Sequence, residues 1–241
     1  MLPLRDLNPT RRLPVITYGL IAVNVIIFMM QLGLTEIQLQ QVFTTQSVVP
    51  SLAAAAPFSL ETILDVIRSM FFHGGWEHII GNMLYLWLFG DNIEDRFGAI
   101  LYLVLYFAGG FIAAFAQVVI DPTSNIPLIG ASGAIAAVLG SYLVLYPGVR
   151  VEGIVPLGYF SSLQAWPAWA VLGLWFVLQL FSGVGSLGAD AQYGGGVAFF
   201  AHIGGFVFGA VITFAFMQIV RQPPADERKQ MLYDRTTRGR F

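Results

Sequence analysis

The chain has 241 residues, 56% of them hydrophobic and only 11% charged, with a mean hydropathy of +0.71 and a formal net charge of -2. That balance lies on the membrane side of average composition and excludes an ordinary soluble domain; no nucleic-acid partner is expected. Cysteine is absent, which removes thiol catalysis, disulfides, iron–sulfur clusters and thiolate metal sites together.

Residues 1–12 are expected to form a cytoplasmic segment. The first apolar run, Leu13 to Leu32, is about a full span long and is followed by no small-residue cleavage site, so it is not expected to be a removed signal peptide. A loop over about 35–77 follows. Within it, "SLETILDVIRSMFF" sets Leu60, Ile63, Leu64, Ile67 and Phe71 on one helical face, away from Glu61, Asp65 and Arg68. Such a helix either lies in the membrane interface or caps the bundle. Five further apolar runs are predicted as spans: His78 to Gly90, Ala99 to Ile120, Ala131 to Tyr146, Trp166 to Phe181 and Val197 to Val220. The expected fold is therefore all-α, a polytopic bundle of six transmembrane helices forming one domain over 13–220. The charged tail 221–241, with Pro223 and Pro224, is expected to be a flexible cytoplasmic extension. With the amino terminus inside, every basic residue except Arg68 falls on the cytoplasmic side, so the positive-inside rule places both termini there.

The fourth span is short. About sixteen residues precede Pro147, and at ~1.5 Å per residue they fall short of a ~30 Å hydrocarbon core. Its first residues, including Ser132, are then expected to lie below the outer surface. The irregular "DPTSNIPLIG" must descend to meet them, which backbone does only when buried in protein or lining a wet cavity. A water-filled pocket opening to the outer side is predicted above Ser132.

Polar side chains at membrane depth lack partners in lipid and default to functional hypotheses. Here they are Asn24, His78, Asn82, Ser132, Ser141 and His202. Asn24 and Ser141 suit packing or interhelical hydrogen bonding. A serine becomes a nucleophile only when a base takes its proton, and histidine is suited to that task near neutrality. His202 sits in "FFAHIGGFVFGA", where Gly205 and Gly209 form a small face; Gly133, Ala137 and Gly140 form another on the fourth span. Two such faces allow helices to approach closely. His78 and Asn82, at i and i+4, share a face of the second span. With the Ser132 amide at a helix amino terminus they could donate to an oxyanion, or they could form a structural polar cluster. Zinc is not expected, because the spacing of His73, Glu77, His78 and His202 does not match H-E-x-x-H.

These features together resemble the rhomboid family of intramembrane serine proteases. The resemblance runs from "LIAVNVIIF" to "AHIGGFVFG" and rests on G-x-S-G at Gly130, Ser132 and Gly133, on H-x-x-G-x-x-x-G at His202, Gly205 and Gly209, and on H-x-x-x-N at His78 and Asn82. "EDRFG" resembles the family's E-x-R-x-G turn, in which Glu94 and Arg96 would tie the second span to the third. The resemblance implies a serine–histidine dyad that needs no cofactor and cleaves transmembrane helices of protein substrates in the bilayer. Ser132 is implied as nucleophile, His202 as base, His78 and Asn82 as oxyanion contacts, and His73 as a supporting residue. Two departures stand out: Ala136 occupies a position where an aromatic often stacks on the histidine, so the imidazole must be oriented from elsewhere, and the Trp-Arg pair often seen in the first outer loop is missing. "GADAQYGGGVAFF" is expected to act as a lid hinged at Gly194 to Gly196. The competing readings are a non-catalytic relative that binds transmembrane helices and a small-solute transporter or channel. A bacterial inner membrane is the expected location.

Overall fold

A computed structural model describes residues 2–157, 160–186 and 198–219. In chain order the elements are β1 (Leu2–Asp6), α1 (Val15–Gln31), α2 (Glu36–Gln46), α3 (Pro50–Ala55), α4 (Leu60–Ser69), α5 (Trp76–Phe97), α6 (Ala99–Ile120), α7 (Ser132–Leu145), β2 (Arg150–Leu157), β3 (Phe160–Pro167), α8 (Ala168–Ser186) and α9 (Phe199–Ile219). The protein is mostly helical. By length and composition α6 and α9 can cross a membrane, and Val15–Gln31, Ser132–Leu145 and Ala168–Val184 are shorter apolar helices. The proposed glycine hinge at Gly194 to Gly196 and the tail 221–241 lie outside the described residues.

The helix α7 is the centre of the bundle. It has 14 residues, and Gly133 to Tyr142 are all buried. An apolar helix buried all round makes no use of amphipathic patterning, and its neighbours α5, α6 and α9 enclose it. The contact with α9 is the closest, because glycines remove the side chains that would hold the axes apart. A Cβ added to Gly205 would run into the carbonyl of Gly133, one on Gly209 into the carbonyl of Ala137, and one on Gly140 into the carbonyl of Phe206. Ser141 bridges the same seam, its Oγ donating to Ala137 O at 2.9 Å and Gly209 O at 3.2 Å. It therefore serves as the interhelical residue expected from the sequence.

The all-α expectation needs a correction. Three short strands form an antiparallel sheet in the order β1-β2-β3 at the end of α7 opposite Ser132. Val151 of β2 is fully buried. The sheet also anchors the chain's beginning: Asp6 Oδ2 accepts from Asn92 Nδ2 at 2.8 Å and from Tyr142 Oη at 2.8 Å. Burial pushes the Asp6 carboxyl from 3.8 up to about 6, against those hydrogen bonds.

Glu94 also departs from expectation. Its buried carboxylate accepts from the Ile16 and Thr17 amides at 2.9 and 2.8 Å and from Thr17 Oγ1 at 2.8 Å. It thus caps the amino terminus of α1, whose first amides have no intrahelical acceptor, and ties α5 to the first helix rather than directly to the third. Tyr102 Oη lies 3.3 Å from the Thr17 hydroxyl, which brings α6 into the cluster. In the loop helix α4, Thr62, Val66 and Ser69 are buried, whereas Leu60 is 73% exposed and Ile63 and Leu64 are more than a third exposed. The predicted apolar stripe is thus divided: Leu60, Ile63 and Leu64 turn outward, while Ile67 and Phe71 are part-buried and Phe71 packs against the core.

Gly209→Val is expected to destabilise the protein by about 3 kcal/mol or more, since no side chain can yield in a backbone contact. Gly19→Ala, whose Cβ meets nothing within 4 Å, is expected to change stability by less than about 0.5 kcal/mol. Thermal unfolding in detergent compares the two. Because the Asp6 carboxyl holds its proton more tightly folded than unfolded, its contribution is full below about pH 4 and is lost as the pH rises through about 6. The Tm of Asp6→Asn is therefore expected to vary less than wild type over that window.

Candidate active site

Gly130 has φ +120°, a conformation that side chains disfavour, and the turn it makes delivers Ser132 to the first position of α7. The segment before it is held by backbone bonds: Leu128 N–H donates to Val48 O and Gly130 N–H to Ser69 O, each at 2.8 Å. The irregular stretch before α7 is thereby bonded to other protein segments. Across the glycine seam, α9 presents His202 near its own amino terminus. Gln117 of α6 steadies that first turn by accepting from Phe200 N–H at 3.1 Å.

The two side chains meet. His202 Nε2 lies 2.7 Å from Ser132 Oγ, although the residues are 70 positions apart. The other ring nitrogen, Nδ1, lies 2.8 Å from Gln179 Oε1 on α8. The Trp175 ring is 5.9 Å from the imidazole at a 41° tilt. These two α8 residues provide the lateral contacts that Ala136, with only a methyl group, does not.

His78 and Asn82 come to the same place. A cavity of about 450 Å³ is lined by Ser132, His202, His78, Asn82, Glu77 and Trp175, among others. A Cβ on Gly130 would strike the His78 ring, so the absence of a side chain there lets the imidazole lie against the turn before Ser132. Gly74 N–H donates to His78 Nδ1 at 3.3 Å, which leaves the His78 proton on Nε2, the nitrogen beside Gly130. Asn82 is buried, and its Nδ2 has no hydrogen-bond partner among the described residues. An unsatisfied buried amide is costly, so a donor left in this state beside a serine marks a place for an acceptor.

His73 lies behind this pair. Its Nδ1 donates to Phe71 O at 3.2 Å, and its ring stands edge-on to His78 with centroids 5.0 Å apart. Gln31 grips its backbone from both sides, donating to His73 O at 2.9 Å and accepting from His73 N–H at 3.1 Å. Desolvation lowers the His73 imidazole to about 4, so it packs as a neutral ring at neutral pH.

The rhomboid-domain family model matches residues 61–219, which contain every one of these side chains except Gln31. The chain belongs to the rhomboid family. It is similar to "Rhomboid protein 1, mitochondrial" of Saccharomyces cerevisiae, at 25% identity over 66% of the chain and 43% of that protein. "RHOMBOID-like protein 4" of Arabidopsis thaliana is 32% identical over 60% of the chain and 32% of its own length. "Rhomboid protease GluP" of Bacillus subtilis is 38% identical over 30% of the chain and 13% of its length. The chain thus spans less than half the length of these curated relatives. Family and apolar helices together make it an integral membrane protein.

Gln179, Gln117 and Gln31 were missed by sequence reasoning. Gln179 had a signal: it is an amide inside the predicted fifth span, and the rule that singled out Asn82 applies to it equally. Gly130→Ala is expected to force the backbone from φ +120° and drive a methyl group into His78, lowering the Tm by several degrees. A wild-type Tm for that variant would contradict the packing described.

Proposed function

We propose that the chain is an intramembrane serine endopeptidase that hydrolyses peptide bonds in or near transmembrane helices of protein substrates. One observation carries this reading: the 2.7 Å contact between Ser132 Oγ and His202 Nε2, in a cavity that also holds the unpartnered amide of Asn82. In this mechanism His202 takes the Ser132 proton as Oγ attacks the scissile carbonyl. Negative charge then develops on the carbonyl oxygen, where Asn82 Nδ2, His78 Nε2 and the amide end of α7 can donate to it. As the intermediate collapses, His202 returns the proton to the leaving nitrogen, giving an amine and an acyl-Ser132. Water, deprotonated by His202, cleaves that ester and restores the hydroxyl.

The topology that goes with this reading is a six-span domain over 13–220 with cytoplasmic flanks at 1–12 and 221–241. The cavity opens to the outer side, and the membrane is a bacterial inner membrane. The exposed Leu60, Ile63 and Leu64 of α4 support its place in the outer leaflet's interface. Basic residues on the flanks and connections support the orientation. At ~1.5 Å per residue α7 is about 21 Å long, so Ser132 starts below the outer surface when the helix ends near the inner one.

A fluorophosphonate probe is expected to label the wild-type protein and to fail on Ser132→Ala and His202→Ala. Equal labelling of all three would place the reactive group elsewhere, and no labelling with retained binding of helical substrates would favour the non-catalytic reading. Asn82→Ala is expected to lower kcat by about 100-fold with KM little changed, as for a donor used mainly in the transition state. Cleavage of a model transmembrane substrate is expected to fall on acidification, because only the neutral His202 ring can accept the serine proton. A rate that stays level on acidification until the protein itself unfolds would remove His202 from that role.

A further inference from the structure

We propose that Gln179 is a positioning residue that sets the tautomer of His202, making the working unit a serine, a histidine and a neutral amide. The proposal rests on the reading of Ser132 and His202 as nucleophile and base.

A neutral imidazole carries one N–H, and both nitrogens of His202 are engaged. Nε2 faces Ser132 Oγ at 2.7 Å and Nδ1 faces Gln179 Oε1 at 2.8 Å. An amide oxygen only accepts, so Oε1 at this place requires the proton on Nδ1. The lone pair is then on Nε2, directed at the serine hydroxyl, which is the form that can take the proton. The opposite orientation of the same amide would present NH₂ to Nδ1. The proton would move to Nε2, the histidine would donate to the serine, and it could no longer act as its base. The amide orientation therefore selects between a competent and an incompetent ring.

The placement is specific in a second way. Trp175 precedes Gln179 by one turn of α8, so one helical face supplies both the aromatic contact and the acceptor. Together they fix the plane of the ring and its proton. Gln179 is the one amide in the α8 sequence, set between Leu178 and Leu180, which are exposed toward the surroundings. An amide in such a helix needs a partner, and His202 supplies it. A carboxylate there would hold the imidazolium more strongly, but it would be costly to bury without a fixed positive partner. The neutral amide orients the ring without that cost.

The test compares wild type, Gln179→Met and Gln179→Glu in liposomes on one model transmembrane substrate, with ¹⁵N NMR of labelled histidine on the resting proteins. Methionine keeps length and volume but offers no amide. It is expected to lower kcat about tenfold with KM unchanged, and to replace the Nδ1–H signal of His202 by a mixture of tautomers. Glutamate restores the acceptor; it is expected to recover much of the lost kcat and to move the acid limb of the profile to higher pH, because a carboxylate favours the protonated ring. Glu77, His78 and Tyr85, the other titratable groups lining the cavity, all come from α5 and are the same in the three proteins. Wild-type kcat in Gln179→Met with an unchanged His202 tautomer would overturn the proposal, as would a loss confined to KM. The NMR arm needs no turnover, so a wild type that neither cleaves nor labels would defeat the protease reading while the spectra still decide the role of Gln179.

Discussion

The distance between the backbones of α7 and α9 is the constraint on which this molecule depends. A serine side chain is short, and two helices at ordinary packing distance keep a serine on one too far from a histidine on the other for a direct hydrogen bond, unless the axes come closer than side chains normally allow. Gly205 and Gly209 on one helix and Gly140 on the other remove those side chains, and each faces a carbonyl across the seam, while Gly133 makes the same room against Ala113 of α6. In lipid there is little hydrophobic drive to bring helices together, so dispersion contacts between close backbones carry much of the association. The same contacts that stabilise the pair therefore fix the reach between Ser132 and His202.

Around that pair, polar groups are arranged so that a side chain is oriented by another group rather than by bulk. The Gly74 amide fixes the proton of His78, Gln31 fixes the backbone of His73, and His73 packs against His78. Among the described residues, Asn82 Nδ2 and His73 Nε2 are buried without a hydrogen-bond partner. The Asn82 donor stands open beside the serine, and a preorganised donor needs no reorganisation when charge appears.

Much of this site was legible because the residues that build it are rare in their setting. A histidine, a serine and an asparagine stand out in a chain that is 56% hydrophobic, and the glycine spacing on two spans shows which faces meet. The β-sheet was not legible for the opposite reason. "RVEGIVPL" and "FSSLQAWP" are short, mixed segments whose strand character comes from pairing with each other and with residues 2–6, the latter across about 150 positions of sequence. Glu94 was seen but its partner was not, since an unpaired helix amino terminus is a backbone feature that no side chain announces. The charged run from Asp91 to Arg96 hid the last two turns of α5 from a hydropathy window, although the helix continues to Phe97. The role of Gln179 was not legible because an amide among leucines shows its role only through its partner, and His202 lies on another helix.

The short length of α7 gives the sheet and the loop their purpose. A helix long enough to span a bilayer finds its depth by matching its apolar length to the hydrocarbon, but a buried helix of about 21 Å has no such reference. Its position along the membrane normal must come from ties at its ends. At one end Tyr142 donates to Asp6, which is fixed in turn by Asn92 and by the pairing of β1 with β2. At the other, the carbonyls of Ser69 and Val48 hold Gly130 and Leu128. Between them Ser141 donates across to the carbonyl of Gly209. The position of α7 is thus set by hydrogen bonds to elements outside the central helices, which gives a sheet and an irregular loop a place in a protein built largely of apolar helices.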